Sequence, residues 1–154
     1  MLKVGLRDFL KQKLGARPTS SAPASASLPA APDADGYRAV AVAGSVSEGR
    51  PRVYGVNGAV IAVFQVQGAL YAIDNACAHE DGPLGEGDQR GEVITCPYHD
   101  WRFDVRTGAC LSEPGRRQAC FAVREQGGFL WIGRRTSEGT GVRGGEHDDG
   151  LKQR

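Results

Sequence analysis

The chain has 154 residues, a formal net charge of +1, 40% hydrophobic and 24% charged residues, which suits one globular domain. That charge balance offers no strong field for nucleic acid or an acidic substrate, and no apolar run approaches the roughly 18 residues of a membrane span. Its 22 glycines imply many tight turns and a β-rich fold.

Residues 1–16 place Leu2, Leu6, Phe9, Leu10 and Leu14 on one helical face, with Lys3, Arg7, Lys11 and Lys13 around the rest. This is the pattern of a short amphipathic helix, suited to a protein contact or to folding back on its own domain before a membrane surface. It has neither a secretory apolar stretch nor a twin arginine, which points to a cytoplasmic protein. Residues 17–36 are rich in Pro, Ala and Ser and read as a flexible linker.

Residues 37–134 read as strands and turns. YRAVAVAG, PRVYGVN, AVIAVFQV and ALYAID are the first four strand segments, rich in branched and aromatic residues. Asn57-Gly58 between two of them is a hairpin signal, because a type I′ turn needs positive φ at both positions. Gln67-Gly68 looks like a second hairpin. After His99 come WRFDV, a turn at Thr107-Gly108, ACFAVRE, a turn at Gly127-Gly128 and FLWIG. The expected fold is mostly β, a small antiparallel sandwich or barrel. Phe64, Tyr71, Tyr54, Phe121, Phe129 and Trp131 read as core. Residues 135–154 are polar and Gly-rich and read as a disordered tail.

Two of the four cysteines and two of the three histidines fall in the stretch CAHEDGPLGEGDQRGEVITCPYH. The halves are Cys77-x-His79 and Cys96-x-x-His99, and each follows a strand segment, YAID and EVIT. Clustered Cys and His in the cytoplasm suggest metal over disulfide. Thiolate with imidazole suits zinc, iron or iron–sulfur. A structural zinc site more often pairs C-x₂₋₄-C with a separate H-x₃₋₅-H. Two loops, each giving one Cys and one His, satisfy a centre with Cys₂ on one iron and His₂ on the other.

CAHEDGPL together with CPYHDWRFDVRTG resembles the two cluster loops of Rieske [2Fe–2S] proteins, and the likeness runs from VNGAVIAVFQVQGALYAIDNAC to FLWIG. The resemblance implies one Rieske-type [2Fe–2S] cluster, with Cys77 and Cys96 on the inner iron, His79 and His99 on the outer iron, and Gly82, Pro83 and Pro97 shaping the loops. One position departs: many members carry Gly after the second His, where this chain has Asp100.

Respiratory and photosynthetic members join their loops by a disulfide, whose cysteines would fall at Gly82 and Tyr98 here. Their Ser and Tyr hydroxyls near the cluster would fall at Trp101 and Phe103. Loss of hydrogen bonds to sulfur lowers the potential, so a low-potential centre is expected. A complete oxygenase needs a further iron on two His and a carboxylate, and only His147 remains. No G-x-G-x-x-G opens a helix, so a nicotinamide cofactor belongs to a partner. The chain therefore resembles the ferredoxin component of multicomponent ring-hydroxylating dioxygenases. This implies a one-electron carrier between a reductase and an oxygenase-type partner, itself a non-catalytic component. The alternatives are a small nitrite-reductase subunit and a tethered redox-sensing module. Leu84, Pro83, Tyr98 and Trp101 are candidates for the apolar rim of a partner contact. Cys110 and Cys120 read as thiols in the β core, and Arg116-Arg117 and Arg134-Arg135 as solvated pairs.

Overall fold

The computed structural model describes residues 27–136 and the backbone of residues 142–143. The helix expected at 1–16 lies outside them, as do the start of the linker and most of the tail.

Among the described residues, ten strands form two antiparallel sheets. The larger contains β1 (Arg38–Val42), β2 (Arg52–Val56), β3 (Ala59–Val66), β4 (Ala69–Asp74), β8 (Cys120–Gln126) and β9 (Phe129–Thr136), in the order β1-β9-β8-β4-β3-β2. A two-residue strand β10 (Val142–Arg143) pairs with Leu70 and Ala69 of β4. The edge strands β1 and β2 approach one another, so the sheet curls toward a barrel. The smaller sheet is β5 (Asp88–Arg90), β6 (Val93–Thr95) and β7 (Arg102–Asp104), in that order.

The hairpins follow from turn chemistry. Val56 pairs with Ala59 around Asn57 (φ 50°) and Gly58 (φ 81°), and Val66 with Ala69 around Gln67 (φ 50°) and Gly68 (φ 81°). These positive values are what a two-residue I′ connection requires.

Strand β3 is apolar on both faces because it separates two cores. Ile61 and Val63 point to one, with Val46, Val56, Leu70, Ala72, Val123, Leu130 and Ile132. Ala62, Phe64 and Val66 point to the other, with Ile73, Leu84, Ile94, Phe103 and Val105. A strand covered on both sides loses the alternation of a half-exposed one. The second core also contains all four cysteines, so the loops carrying Cys77 and Cys96 grow out of packed apolar structure.

Several expectations shift. Phe64 is fully buried, but Tyr54, Tyr71 and Phe121 are half-buried at the edges of the two cores. Phe129 and Trp131 are half-buried as well, because the inward positions of β9 belong to Leu130 and Ile132. The Trp131 indole N–H donates to the Gln126 carbonyl. Strand β9 continues to Thr136, two residues beyond the domain boundary expected at 134, and β10 lies within the stretch read as tail. The end of the stretch read as linker is anchored: Asp33 accepts from the Asp35 and Tyr37 amides and pairs with Arg124 of β8, whose guanidinium lies 4.0 Å from the Tyr37 ring centroid. Strand β5 was not expected, since DQR has no branched or aromatic residue. Gln89 holds it down, donating to the Gln65 and Gly91 carbonyls.

Candidate metal centre

Two loops meet above the second core. The first leaves β4 and runs from Cys77 to Gly82; the second leaves β6 and runs from Cys96 to Trp101. They are closed in the same way. Cys77 N–H donates to the Gly82 carbonyl and Asp81 N–H to the Cys77 carbonyl, both at 2.9 Å. Cys96 N–H donates to the Trp101 carbonyl at 2.7 Å and Asp100 N–H to the Cys96 carbonyl at 3.1 Å. In each loop the residue four beyond the cysteine is an aspartate in the left-handed region, Asp81 at φ 55° and Asp100 at φ 59°. This explains the Asp100 departure: the position needs positive φ, which Gly adopts freely and Asp tolerates better than most residues.

The twin loops sort their side chains by depth. Cys77 and Cys96 are each 2% exposed at the floor. His79 is half-buried and His99 exposed at the tips, their ring centroids 4.8 Å apart and edge-on at 76°. Burial pushes the Cys77 thiol up, and the neighbouring Cys96 thiol adds to this. The His79 and Glu80 backbone N–H groups oppose it. A bound cation would convert such a thiol to thiolate.

Other residues complete the site. Trp101 stacks on His79 with centroids 4.3 Å apart and planes 27° from parallel. Arg116 lies over Trp101 at 5.5 Å and donates to the Ala78 carbonyl at 3.3 Å. Glu80 stands 3.3 Å from His99 Nδ1. Gly82 faces the second loop so closely that a Cβ there would stand 2.6 Å from Cys96 Sγ and 3.1 Å from the Tyr98 ring. Among the candidate rim residues, Tyr98 is 60% exposed, and Pro83 and Trp101 are half-buried. Leu84 is fully buried in the second core and so belongs to no rim. Arg116, read as solvated, is exposed and also donates to the first loop. No signal in the isolated Arg116-Arg117 dipeptide distinguishes it from a solvated pair.

The donor set fits an iron–sulfur centre with unlike ends. Two buried thiols suit an iron shielded from water, and two imidazoles at the surface suit a second iron. None of the four cysteines forms a disulfide, so all donor atoms are available, and the missing Gly82 side chain leaves room beside Cys96 Sγ.

Residues 37–125 match the Rieske [2Fe-2S] domain family. The chain belongs to that family. One Rieske-type [2Fe–2S] cluster is therefore its cofactor. Known ferredoxins share its fold: the Sphingomonas yanoikuyae B1 ferredoxin superposes with a TM-score of 0.58 at 30% identity, over 62% of this chain and 96% of that one. The ferredoxin of carbazole 1,9a-dioxygenase from Nocardioides aromaticivorans IC177 gives 0.58 at 31%, over 63% and 96%. In sequence, the ferredoxin component of the naphthalene 1,2-dioxygenase/salicylate 5-hydroxylase systems of Ralstonia sp. is 46% identical over 59 residues, which is 38% of this chain and 57% of that protein. The chain thus spans little more than half the length of that relative. The oxygenase component of 3-ketosteroid-9-alpha-monooxygenase from Rhodococcus rhodochrous is 32% identical over 108 residues, but only 28% of its length is involved. No helix among the described residues is long and apolar enough to cross a membrane.

Proposed function

We propose that this Rieske domain is a one-electron carrier, taking electrons from a reductase and delivering them to an oxygenase, with Cys77, Cys96, His79 and His99 as the cluster ligands. The observation that carries the reading is the depth order of the twin loops, with thiols at the core and imidazoles at the surface. A related structure is described as a complex of reduced oxygenase and oxidized ferredoxin in carbazole 1,9a-dioxygenase, matching at TM-score 0.59 and 30% identity over 95% of that chain. This supports a partner of the same kind.

When bound, the cluster would supply a centre that gains and loses one electron. The protein does the rest. Cys77 and Cys96 anchor the buried side, and the apolar residues beneath them keep water out. His79 and His99 bring the other side to the surface, where a partner can approach. Exposed Tyr98, next to His99 in the second loop, and half-buried Pro83, at the end of the first, are suited to a small apolar border, in keeping with the small, transient contacts of electron-transfer pairs.

A low reduction potential belongs to the same reading. Trp101 and Phe103 offer no hydroxyl to the cluster sulfurs, and hydrogen bonds to sulfur are what stabilise the more negative reduced state.

The test is EPR of the anaerobically reduced protein, with iron and sulfide counted on the same sample, followed by potentiometry. A Rieske-type signal, about two irons per chain and a potential near about −150 mV, the low end of the Rieske range, are expected. Stopped-flow oxidation by a reconstituted oxygenase partner then reads the transfer. A protein containing zinc, or one that retains its signal after Cys96→Ala, overturns the ligand assignment. Oxidation no faster than in free solution overturns the carrier role.

A further inference from the structure

Gln118 is 5% exposed and is one of only two buried polar or charged side chains among the described residues. It sits just before β8, far in sequence from the first loop, yet its amide is spent on that loop and the segment leading into it from β4. Nε2 donates to the Ala76 carbonyl at 2.6 Å and to the Asp74 carbonyl at 3.1 Å, while Oε1 accepts from the Ala78 N–H at 3.0 Å. The orientation of the amide is unambiguous: turned over, it would set an oxygen against two carbonyls and an NH₂ against an N–H. Its backbone is fixed too, since Gln118 N–H donates to the Gly108 carbonyl at 2.7 Å. Gly108 has φ 76° and leaves no room for a Cβ beside the Gln118 carbonyl.

These bonds bracket Cys77. Asp74 and Ala76 precede it, and the Ala78 N–H belongs to the peptide that follows it. The backbone is thus held on both sides of the Cys77 sulfur. From this geometry we propose that Gln118 is a positioning residue for the cluster: by clamping the backbone before and after Cys77 it fixes where the ligand sulfur stands. The proposal rests on the assignment of Cys77 as a ligand. Outer partners that orient metal ligands are commonly worth about 10- to 100-fold in metal retention. The potential and g-values of such a centre follow the placement of its ligands and of the groups around them.

The test uses the full-length, cluster-loaded protein and Gln118→Met, which keeps length and apolar bulk but has no hydrogen-bonding amide. Three quantities are read: the reduction potential, the g-values of the reduced cluster, and the rate of iron loss to a chelator. We expect a shifted potential, shifted g-values and iron loss faster by about 10- to 100-fold. A residue that only stabilises the fold would lower the melting temperature and leave potential and g-values at their wild-type values; that result overturns the proposal. If Gln118→Met does not fold, Gln118→Asn, which is one methylene too short to reach all three partners, is read by the same criteria. Failure of the underlying ligand assignment shows separately, as a wild-type protein without a Rieske signal.

Discussion

Trp101 lies against the imidazole of His79, 4.3 Å between ring centroids and 27° from parallel, and carries the Arg116 guanidinium on its π system at 5.5 Å. One ring thus covers a proposed ligand and holds a cation that is also bonded to the first loop through the Ala78 carbonyl. Trp101 comes from the second loop, so this layer ties the loops together where no disulfide does. Replacing it by Leu removes the stack and the seat of Arg116 together. The expected cost is about 0.5–1.5 kcal/mol beyond lost apolar area, read as a lower melting temperature. Iron loss to a chelator should accelerate while far-UV CD stays unchanged. Trp101→Phe, which keeps a ring, should recover most of both losses. Chelator kinetics equal to wild type in Trp101→Leu would show that the ring does not shield the site.

Gly82 offers a sharper probe of how closely the loops approach. A Cβ there would stand 2.6 Å from Cys96 Sγ and 3.1 Å from the Tyr98 ring, closer than real side chains tolerate. Gly82→Ala must therefore push the second loop outward, at about 1–3 kcal/mol for overpacking. The expected outcome is a folded β protein with sub-stoichiometric iron and sulfide. Full cluster occupancy with an unshifted EPR signal would contradict the close approach. Gly82 and Tyr98 are also the positions at which the disulfide of respiratory members would fall, and here a side chain at Gly82 would run into the Tyr98 ring.

Much of this arrangement was legible in the sequence, for a physical reason. Hairpin turns announce themselves through Asn-Gly and Gln-Gly, and β3 and β4 follow with the expected bounds because register is fixed by those turns. The Cys/His spacing was legible because few metal centres want one thiolate and one imidazole from each of two loops. What stayed hidden depends on long-range packing. Leu84 looked like a surface residue of a polar loop, but the 3-10 turn Leu84–Glu86 carries it into the second core. Phe129 and Trp131 looked like core, but the phase of β9 gives the inward places to Leu130 and Ile132. Gln118 and Arg116 act on residues about 40 positions away, and no local pattern encodes a pairing over that distance.

The left-handed aspartates make a stability prediction. Asp100 at φ 59° occupies a conformation that costs an ordinary L-residue about 1–2 kcal/mol, and a β-branched one more. Asp100→Val should lower stability by roughly that amount, whereas Asp100→Gly should leave it unchanged or slightly raised. The comparison is made by thermal melting of loaded proteins with matched iron content. Equal melting temperatures for the Val and Gly variants would mean the loop has another accessible shape.

Acid sensitivity should trace in part to Asp104, at the end of β7. Burial raises its pKa, but bonds from Arg106, through its side chain and backbone N–H, together with the Arg106 charge and the Thr107 amide, outweigh burial and hold it below the ordinary aspartate range. Arg106 Nη2 lies 2.9 Å from one carboxylate oxygen, and Arg106 N–H donates to the other at 2.9 Å. A depressed folded pKa means the unfolded chain takes up the proton first as pH falls. The stabilisation is therefore complete above the ordinary aspartate range and is lost as pH drops through the lowered value. Asp104→Asn should cost about 1–2 kcal/mol near neutrality, as for a hydrogen bond to a charged group. Below about pH 4, where an unperturbed aspartate protonates, its melting temperature should fall less steeply than that of the wild type. Acid lability of the cluster is common to both proteins, so the difference between their curves isolates Asp104. Parallel curves from pH 6 downward would assign the acid sensitivity elsewhere.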